Sequence, residues 1–152
     1  MEEKEAFYCC ESLGRKIALT LRAMVKATKR NFESASIDLT PEQFFILNIL
    51  DDNEGIILKE LAELLEKDKS AIARHINVLE EKHFVARVTC EEDKRKKLLI
   101  LTKPGLKTLA KANEISKAKE NEATENLSET DLEIFEQVLF DIINKSQEKP
   151  VG

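Results

Sequence analysis

Segments in which apolar residues recur every three or four positions alternate along this chain with short segments of turn-forming residues. The first such segment, from residue 6 to about 32, has helical spacing and predicts one long helix. A second helix is predicted to begin after Thr40, because Thr is a good N-cap, Pro41 suits the first turn and Gln43 completes a capping box. It is nearly all apolar as far as Leu50, which indicates that it lies in the core.

Two shorter helical segments follow, separated by a tight turn. The first covers residues 58–65, and the second runs from about residue 68 to 82 with Asp68 predicted as its N-cap. At 100° per residue the apolar positions of the second helix share one narrow sector, which would anchor it to the domain. These positions are Ile72, Ile76 and Leu79.

A charged hairpin is predicted directly after this helix pair. Residues 87–90 and 98–101 are β-prone, and the seven residues between them are charged and end in four consecutive cations. Ile56 and Ile57 predict a further, very short strand. The order helix, turn, helix, strand, charged tip, strand predicts a mainly α fold with a small β wing. The winged helix-turn-helix would cover about residues 41–102.

The C-terminal third predicts two more helices. One starts at Thr102-Lys103-Pro104 and continues to about residue 126, and the last starts near Ser128 and carries a clear apolar face. A single copy offers nothing obvious to cover the apolar faces of the terminal helices, about 6–32 and 103–147. We therefore expect them to form a homodimer, with residues 1–152 as one domain.

The charge of the chain is unevenly distributed. The formal net charge is −5, but residues 69–103 contain nine Lys and Arg against five Asp and Glu, so this segment is +4 and the remainder is −9. Because salt screens charges beyond roughly 8–10 Å, affinity for phosphate depends on the local basic surface rather than on the net charge. An acidic body with a basic winged segment is compatible with binding double-stranded DNA.

The outward face of the second short helix is polar and positive near its start. Arg can pair with guanine and Asn with adenine in the major groove, and Lys or Ser in the first turn can hold phosphate. The tip of the wing can lie along the backbone or place an Arg in the minor groove. The alternatives are a solvated helix face and an edge hairpin protected by lysines. The residues expected to contact DNA are Lys69, Ser70, Ala73, Arg74, Asn77, Lys94, Arg95 and Lys96.

These residues resemble the MarR family of winged helix-turn-helix transcriptional regulators over nearly the whole chain. Wing residues Asp93-Lys94-Arg95 with trailing Leu101-Thr102 and Gly105 carry the specific part of the resemblance. Further matches are Leu61-Ala62, Asp68-Lys69-Ser70, Arg74 and Leu79-Glu80.

The resemblance implies a homodimer joined by its first and last helices, with two recognition helices in successive major grooves of a pseudo-palindromic operator. It assigns Asp93 to orienting the wing and Arg95 to the minor groove, so Asp93 joins the candidate DNA-binding residues. It further implies a regulator, here expected to be a repressor, that a small phenolic or other anionic effector releases from DNA.

Two positions depart from the family pattern. His83 stands after the recognition helix, where the family usually has a Gly in the left-handed conformation, and should cost up to about 1 kcal/mol relative to Gly. Val78 replaces a commonly polar residue that faces the groove, which puts the operator sequence in doubt.

The three cysteines, Cys9, Cys10 and Cys90, form no disulfide framework and have no metal-ligand spacing. Regulation by cysteine oxidation stays an alternative, although the acidic residues around Cys9 and Cys10 disfavour the thiolate that a sensor needs. Structural thiols are the favoured interpretation.

No phosphate loop, nucleophile elbow or metal-spaced set of His and Cys supports an enzyme, a metal or a cofactor. No apolar run approaches the roughly 20 residues of a membrane span, and the start lacks the pattern of a secretion signal, so we expect a cytoplasmic protein. The rival interpretation from another class is a winged-helix module that binds protein. It would show no salt-sensitive affinity for DNA.

Overall fold

The computed structural model describes residues 11–147, which form six α-helices and one two-stranded antiparallel sheet. The predicted class, mainly α with a small β wing, is confirmed. In chain order the elements are α1 (Leu13–Ser34), α2 (Pro41–Asp52), α3 (Leu58–Leu64), α4 (Lys69–Glu81), β1 (Val85–Thr89), β2 (Lys97–Leu101), α5 (Lys103–Thr124) and α6 (Glu129–Gln147).

The chain divides into two compact units, one up to Ser116 and one from Lys117 onward. The first unit contains the helix-turn-helix, the wing and the hydrophobic core. In the second unit α6 fully buries no residue; five of its apolar side chains are 46–59% exposed, and Leu132, Leu139 and Ile142 are half-buried. That residues 1–152 form one domain stays a prediction.

Local capping fixes where several helices begin. Thr40 and Gln43 form the predicted capping box at α2, with hydrogen bonds of 3.1 and 3.2 Å. The first described helix begins at Leu13, where the side chain of Ser12 caps it, so residues 11 and 12 are not part of it. Residues 6–10 of the predicted helix lie outside the described residues. The prediction that the side-chain oxygen of Asp68 accepts hydrogen bonds from the first turn of the next helix was wrong. Asp68 occupies the N-cap of α4, but its backbone carbonyl rather than its side chain accepts from the first amides.

The recognition helix α4 is anchored on its apolar side. Ile72, Ile76 and Leu79 are fully buried, as their spacing predicted, and pack in one core cluster with Leu61 of α3 and Leu99 of β2. Burying each such side chain is worth roughly 1.5–3 kcal/mol, so the orientation of α4 is strongly determined.

The wing is a regular antiparallel ladder. Val85 pairs with Leu101 at its base and Thr89 pairs with Lys97 near its tip. The short strand expected at Ile56–Ile57 is reduced to a single bridge between Ile57 and Leu98, beside a hydrogen bond of 2.8 Å from the amide of Leu99 to the carbonyl of Ile56. This bridge connects the wing to the start of α3.

Polar contacts connect α4 and the residues that flank it to the start of α2 and to the segment just before α2. Glu42 accepts a hydrogen bond from Lys67 in the helix-turn-helix turn, and its other oxygen lies 3.2 Å from Nε2 of His75 on α4. Lys82, just after α4, donates to the carboxylate of Asp38 at 2.8 Å. The recognition helix is thus held near its middle and at its C-terminus.

Three helix ends use the same turn without glycine. After α1, α3 and α4 the backbone closes a Schellman motif whose left-handed residue is Ser36, Glu66 or His83, with φ of 55°, 50° and 60°. At α4 the amide of Phe84 reaches back to Leu79, and that of His83 to Glu80. The expectation that residue 83 is left-handed is confirmed.

Hydrogen bonds connect Thr102, the residue before α5, to this turn. Thr102 donates from its hydroxyl to the carbonyl of His83 and from its amide to that of Phe84, and the amide of Gly105 donates to the Thr102 hydroxyl. A Cβ at buried Gly105 would lie 2.0 Å from the Phe84 carbonyl oxygen. The Leu-Thr and Gly motif therefore joins the end of the wing to the end of the recognition helix.

We expect His83→Gly to raise the melting temperature by about 1–4 °C, because glycine removes up to about 1 kcal/mol of left-handed strain. Thermal denaturation followed by circular dichroism measures it. His83→Ala, which keeps a Cβ in the strained conformation, is the control and should give no gain. An unchanged or lower melting temperature for His83→Gly would contradict the strain argument.

Gly105→Ala should destabilise the fold by about 1–3 kcal/mol or more, because its methyl group meets backbone that cannot move aside. Gly14→Ala is the matched control. That exposed position in α1 has no atom closer than 3.9 Å to an added Cβ, so alanine should leave stability unchanged or raise it by up to about 1 kcal/mol. Urea unfolding of both variants gives the comparison. Equal effects would contradict the close approach.

The hydrogen bond from Lys67 is the largest of the effects that lower the pKa of Glu42 below its ordinary 4.5. Burial opposes it, and the neighbouring His75 and the positive charge of Lys67 lower the pKa further. A carboxylate with a lowered pKa stabilises the fold above its unfolded-state pKa, and that stability is lost as pH falls through the folded-state pKa. Glu42→Gln should therefore lower the melting temperature by about 1–3 °C at pH 7.

The difference in melting temperature between wild type and Glu42→Gln should disappear as the pH falls below 4.5. Glu63→Gln, which breaks an exposed pair with Lys59 inside α3, is the control and should give a smaller gap at pH 7. A Glu42→Gln gap that is constant down to pH 3 would contradict the assignment.

Candidate nucleic-acid interface

The outward face of α4 follows directly from the burial of its apolar side. Lys69, Ser70, Arg74 and Asn77 are exposed on it, whereas Ala73 is half-buried. Val78, which stands where the family commonly has a polar residue, is also exposed, at 37%. This face therefore presents a polar and positive helix surface of the size that a major groove admits.

The tip of the wing is shaped by one carboxylate. Asp93 accepts from the backbone amide of Arg95 at 3.1 Å and from its Nε at 3.2 Å. The Arg95 side chain is 93% exposed. Lys94 and Lys96 beside it are exposed as well. The geometry thus gives Asp93 an orienting position within the wing and leaves three cations at its tip.

A cleft of about 310 Å³ lies between the starts of α3 and α4 and the wing. All the charged residues lining it in the described part of the chain are cations, and an anionic ligand such as a phosphate group suits such a lining. It brings together three candidate residues, Lys69, Arg95 and Lys96. The lining cations that were not among the expected DNA contacts are Lys59, Arg87 and Lys97.

The other candidates lie outside this lining. Asp93 and Lys94 at the wing tip, like Ser70, Ala73, Arg74 and Asn77 on α4, are not part of the cleft. Apart from these two wing-tip residues, the candidate surface has two parts. We call them the helix face (Lys69, Ser70, Ala73, Arg74 and Asn77) and the basic cleft (Lys59, Lys69, Arg87, Arg95, Lys96 and Lys97). Lys69 belongs to both.

Arg87 connects the two parts. Its Nη2 donates to Oδ1 of Asn77 at 2.9 Å, and its Nη1 donates to the carboxylate of Glu80. No pattern in the local sequence predicts this contact, because it depends on how β1 is placed against α4. Lys97, by contrast, was visible as the last of four consecutive cations.

Other chemistry is sparse in the part of the chain that the structure describes. Cys90 is a half-buried free thiol whose amide donates to the carbonyl of Lys96, while Cys9 and Cys10 lie outside the described residues. Residues 11–147 contain no group of three or more His, Cys, Asp or Glu arranged to hold a metal ion. None of their helices is long and apolar enough to cross a membrane.

Comparison with known proteins identifies relatives of this architecture. The family model of the MarR family matches residues 39–97, from just before α2 to the start of β2. The uncharacterized HTH-type transcriptional regulator YybA of Bacillus subtilis (strain 168) is 34% identical over 93 residues, or 61% of each chain. The transcriptional regulator HosA of Escherichia coli O127:H6 is 27% identical over 133 residues, which cover 88% of this chain and 98% of HosA.

Among solved structures, the transcriptional repressor CouR bound to a 23-mer DNA duplex superposes with a TM-score of 0.79 and 27% identity. The match covers 88% of this chain and 93% of CouR. These relatives are transcriptional regulators rather than enzymes. Over residues 39–97, which contain the helix-turn-helix, β1 and the tip of the wing, the chain matches the MarR family of transcriptional regulators.

Proposed function

We propose that this protein is a homodimeric repressor that binds a specific, pseudo-palindromic site in double-stranded DNA and that a small effector releases from it. The observation that carries the proposal is the position of the basic cleft directly beside the helix face. A surface that offers cations for phosphate next to polar side chains for base edges has both parts of sequence-specific recognition.

The two parts act differently on DNA. The helix face enters the major groove, where Arg74 and Asn77 meet base edges and Lys69 and Ser70 meet the flanking phosphates. The basic cleft receives the phosphate backbone, and Arg95 extends from the wing toward the minor groove. Asp93 accepts a hydrogen bond from Nε of Arg95 and so orients this side chain, which means that little conformational freedom is lost when Arg95 binds DNA.

Homodimerisation is supported by the apolar surface that one copy leaves exposed. On α1, Leu13, Leu21, Met24 and Val25 are 46–61% exposed. On α6, Ile134, Phe135, Val138, Phe140 and Ile143 are 46–59% exposed. A second copy that covers these faces would present two recognition helices about one DNA turn apart, which a 23-mer duplex like that bound by CouR can accommodate.

Release by an effector follows from the family resemblance. A small phenolic or other anionic molecule that binds the free dimer more tightly than the DNA-bound dimer would shift the population away from the operator. The proposal places the protein in the cytoplasm with the chromosome, and residues 1–152 act together as one MarR-like domain without cofactor or metal.

Two substitutions should separate the two parts of the surface. Arg95→Ala should weaken binding to specific and random duplexes alike, because its contact is not to one base edge. Asn77→Ala should mainly relax discrimination at one base pair per half-site, by about 1–3 kcal/mol. Fluorescence anisotropy with operator and scrambled duplexes measures both.

Lys29→Ala is the matched control, since Lys29 forms an exposed pair with Glu33 on α1 and belongs to neither part of the surface. It should leave the affinity for both duplexes unchanged. Equal losses on operator and scrambled DNA for both Arg95→Ala and Asn77→Ala would contradict base readout by the helix face. Affinity that does not fall with salt would favour a protein-interaction module instead.

A further inference from the structure

One hydrogen-bonded group joins the recognition helix to the wing. The Arg87 guanidinium on β1 donates to Asn77 and Glu80, which lie three residues apart on the same side of α4. The side chains of Arg87 and Glu80 are 31% and 26% exposed, whereas Asn77 lies on the exposed helix face. The group therefore reaches from partly buried residues to a residue placed to touch a base.

The contact determines which atoms Asn77 can offer. Arginine has only donors, so the amide atom that faces it is necessarily the oxygen, and the two hydrogens of Nδ2 point elsewhere. A bond from a charged donor is roughly twice as strong as one between neutral groups, and Glu80 keeps the guanidinium in place. The oxygen has a second lone pair, but a base amine that used it would have to lie beside the positively charged guanidinium, donor against donor. Turning the oxygen of Asn77 away from Arg87 toward that neutral amine would exchange a stronger bond for a weaker one.

The major-groove edges of purines distinguish these arrangements. Adenine presents one acceptor, N7, and one donor, N6, so pairing with it at two points needs the amide oxygen of an asparagine. Guanine presents two acceptors, N7 and O6, and needs only donors. Asn77 with its oxygen engaged fits guanine, although asparagine alone was expected to pair with adenine.

We propose that Arg87 is a positioning residue that makes Asn77 a hydrogen-bond donor and thereby directs it to a guanine edge in the operator. This inference rests on the proposed DNA-binding function. Arg87 also lines the basic cleft, so a loss of overall affinity on its removal would not distinguish positioning from phosphate contact. The base preference at the position that Asn77 contacts is the quantity that does.

The test selects binding sites from a pool of randomised duplexes with wild type, Asn77→Ala, Arg87→Ala and Lys97→Ala, and sequences the bound fraction. Asn77→Ala should flatten the preference at one position per half-site, and wild type should prefer guanine there. Arg87→Ala should shift that position toward adenine, by roughly tenfold. Lys97 is a cleft cation that donates to Thr89 within the wing. Its replacement in Lys97→Ala should therefore change the affinity for DNA but not the base preference at this position.

A second measurement needs no change in the protein. Wild type should bind the selected duplex about tenfold more weakly when the guanine at this position is replaced by 7-deazaguanine, which lacks the N7 acceptor. The inference is overturned if wild type prefers adenine at the Asn77-dependent position or no such position exists. An unchanged preference in Arg87→Ala or unchanged binding to the deaza duplex would also overturn it. A wild type that selects no sequence at all would contradict the proposed function itself.

Discussion

Burial of one apolar stripe on α4 is the constraint on which the rest of the structure depends. Ile72, Ile76 and Leu79 lose all contact with solvent, and this fixes the rotation of the helix about its own axis. Because neighbouring helix residues are separated by 100°, the direction of Arg74 and Asn77 is then determined as well. The contacts of Glu42 and Lys82 add fixed points beside the stripe, so the helix face is presented as a rigid surface.

The charge distribution concentrates the attraction for DNA phosphates at this rigid surface. Three of the cleft cations already have acidic partners: Lys59 pairs with Glu63, Arg87 with Glu80 and Arg95 with Asp93. These partners reduce the repulsion among cations in the free protein and orient the side chains. The acidic remainder of the chain disfavours indiscriminate binding, which leaves the cleft and the helix face as the surface where phosphate is attracted.

Those features that depend on neighbours along the chain could be predicted from the sequence. The Thr40 and Gln43 capping box and the buried stripe of α4 are examples, whereas the left-handed conformation of His83 was implied by the resemblance to the MarR family. A local pattern does not always specify the atoms that form a contact. Asp68 occupies the expected cap position but uses its backbone.

The same limit applies to the candidate site. The exposed face of α4 and the cations of the wing tip are periodic or consecutive in sequence, so they were visible. The bond between Arg87 and Asn77 requires β1 to lie beside α4, and Lys59 joins the cleft because the Ile57 bridge brings the start of α3 to the wing. Neither fact has a signature in the order of residues.

The most direct test of the account is fluorescence-anisotropy binding to the duplex just upstream of the protein's own gene, against a scrambled duplex, at 50 and 200 mM salt. The account predicts tighter binding to the native duplex and an affinity that falls by about 10³-fold or more between the two salt concentrations, as several phosphate contacts require. Weak binding to both duplexes by a folded dimer, with little dependence on salt, would contradict it.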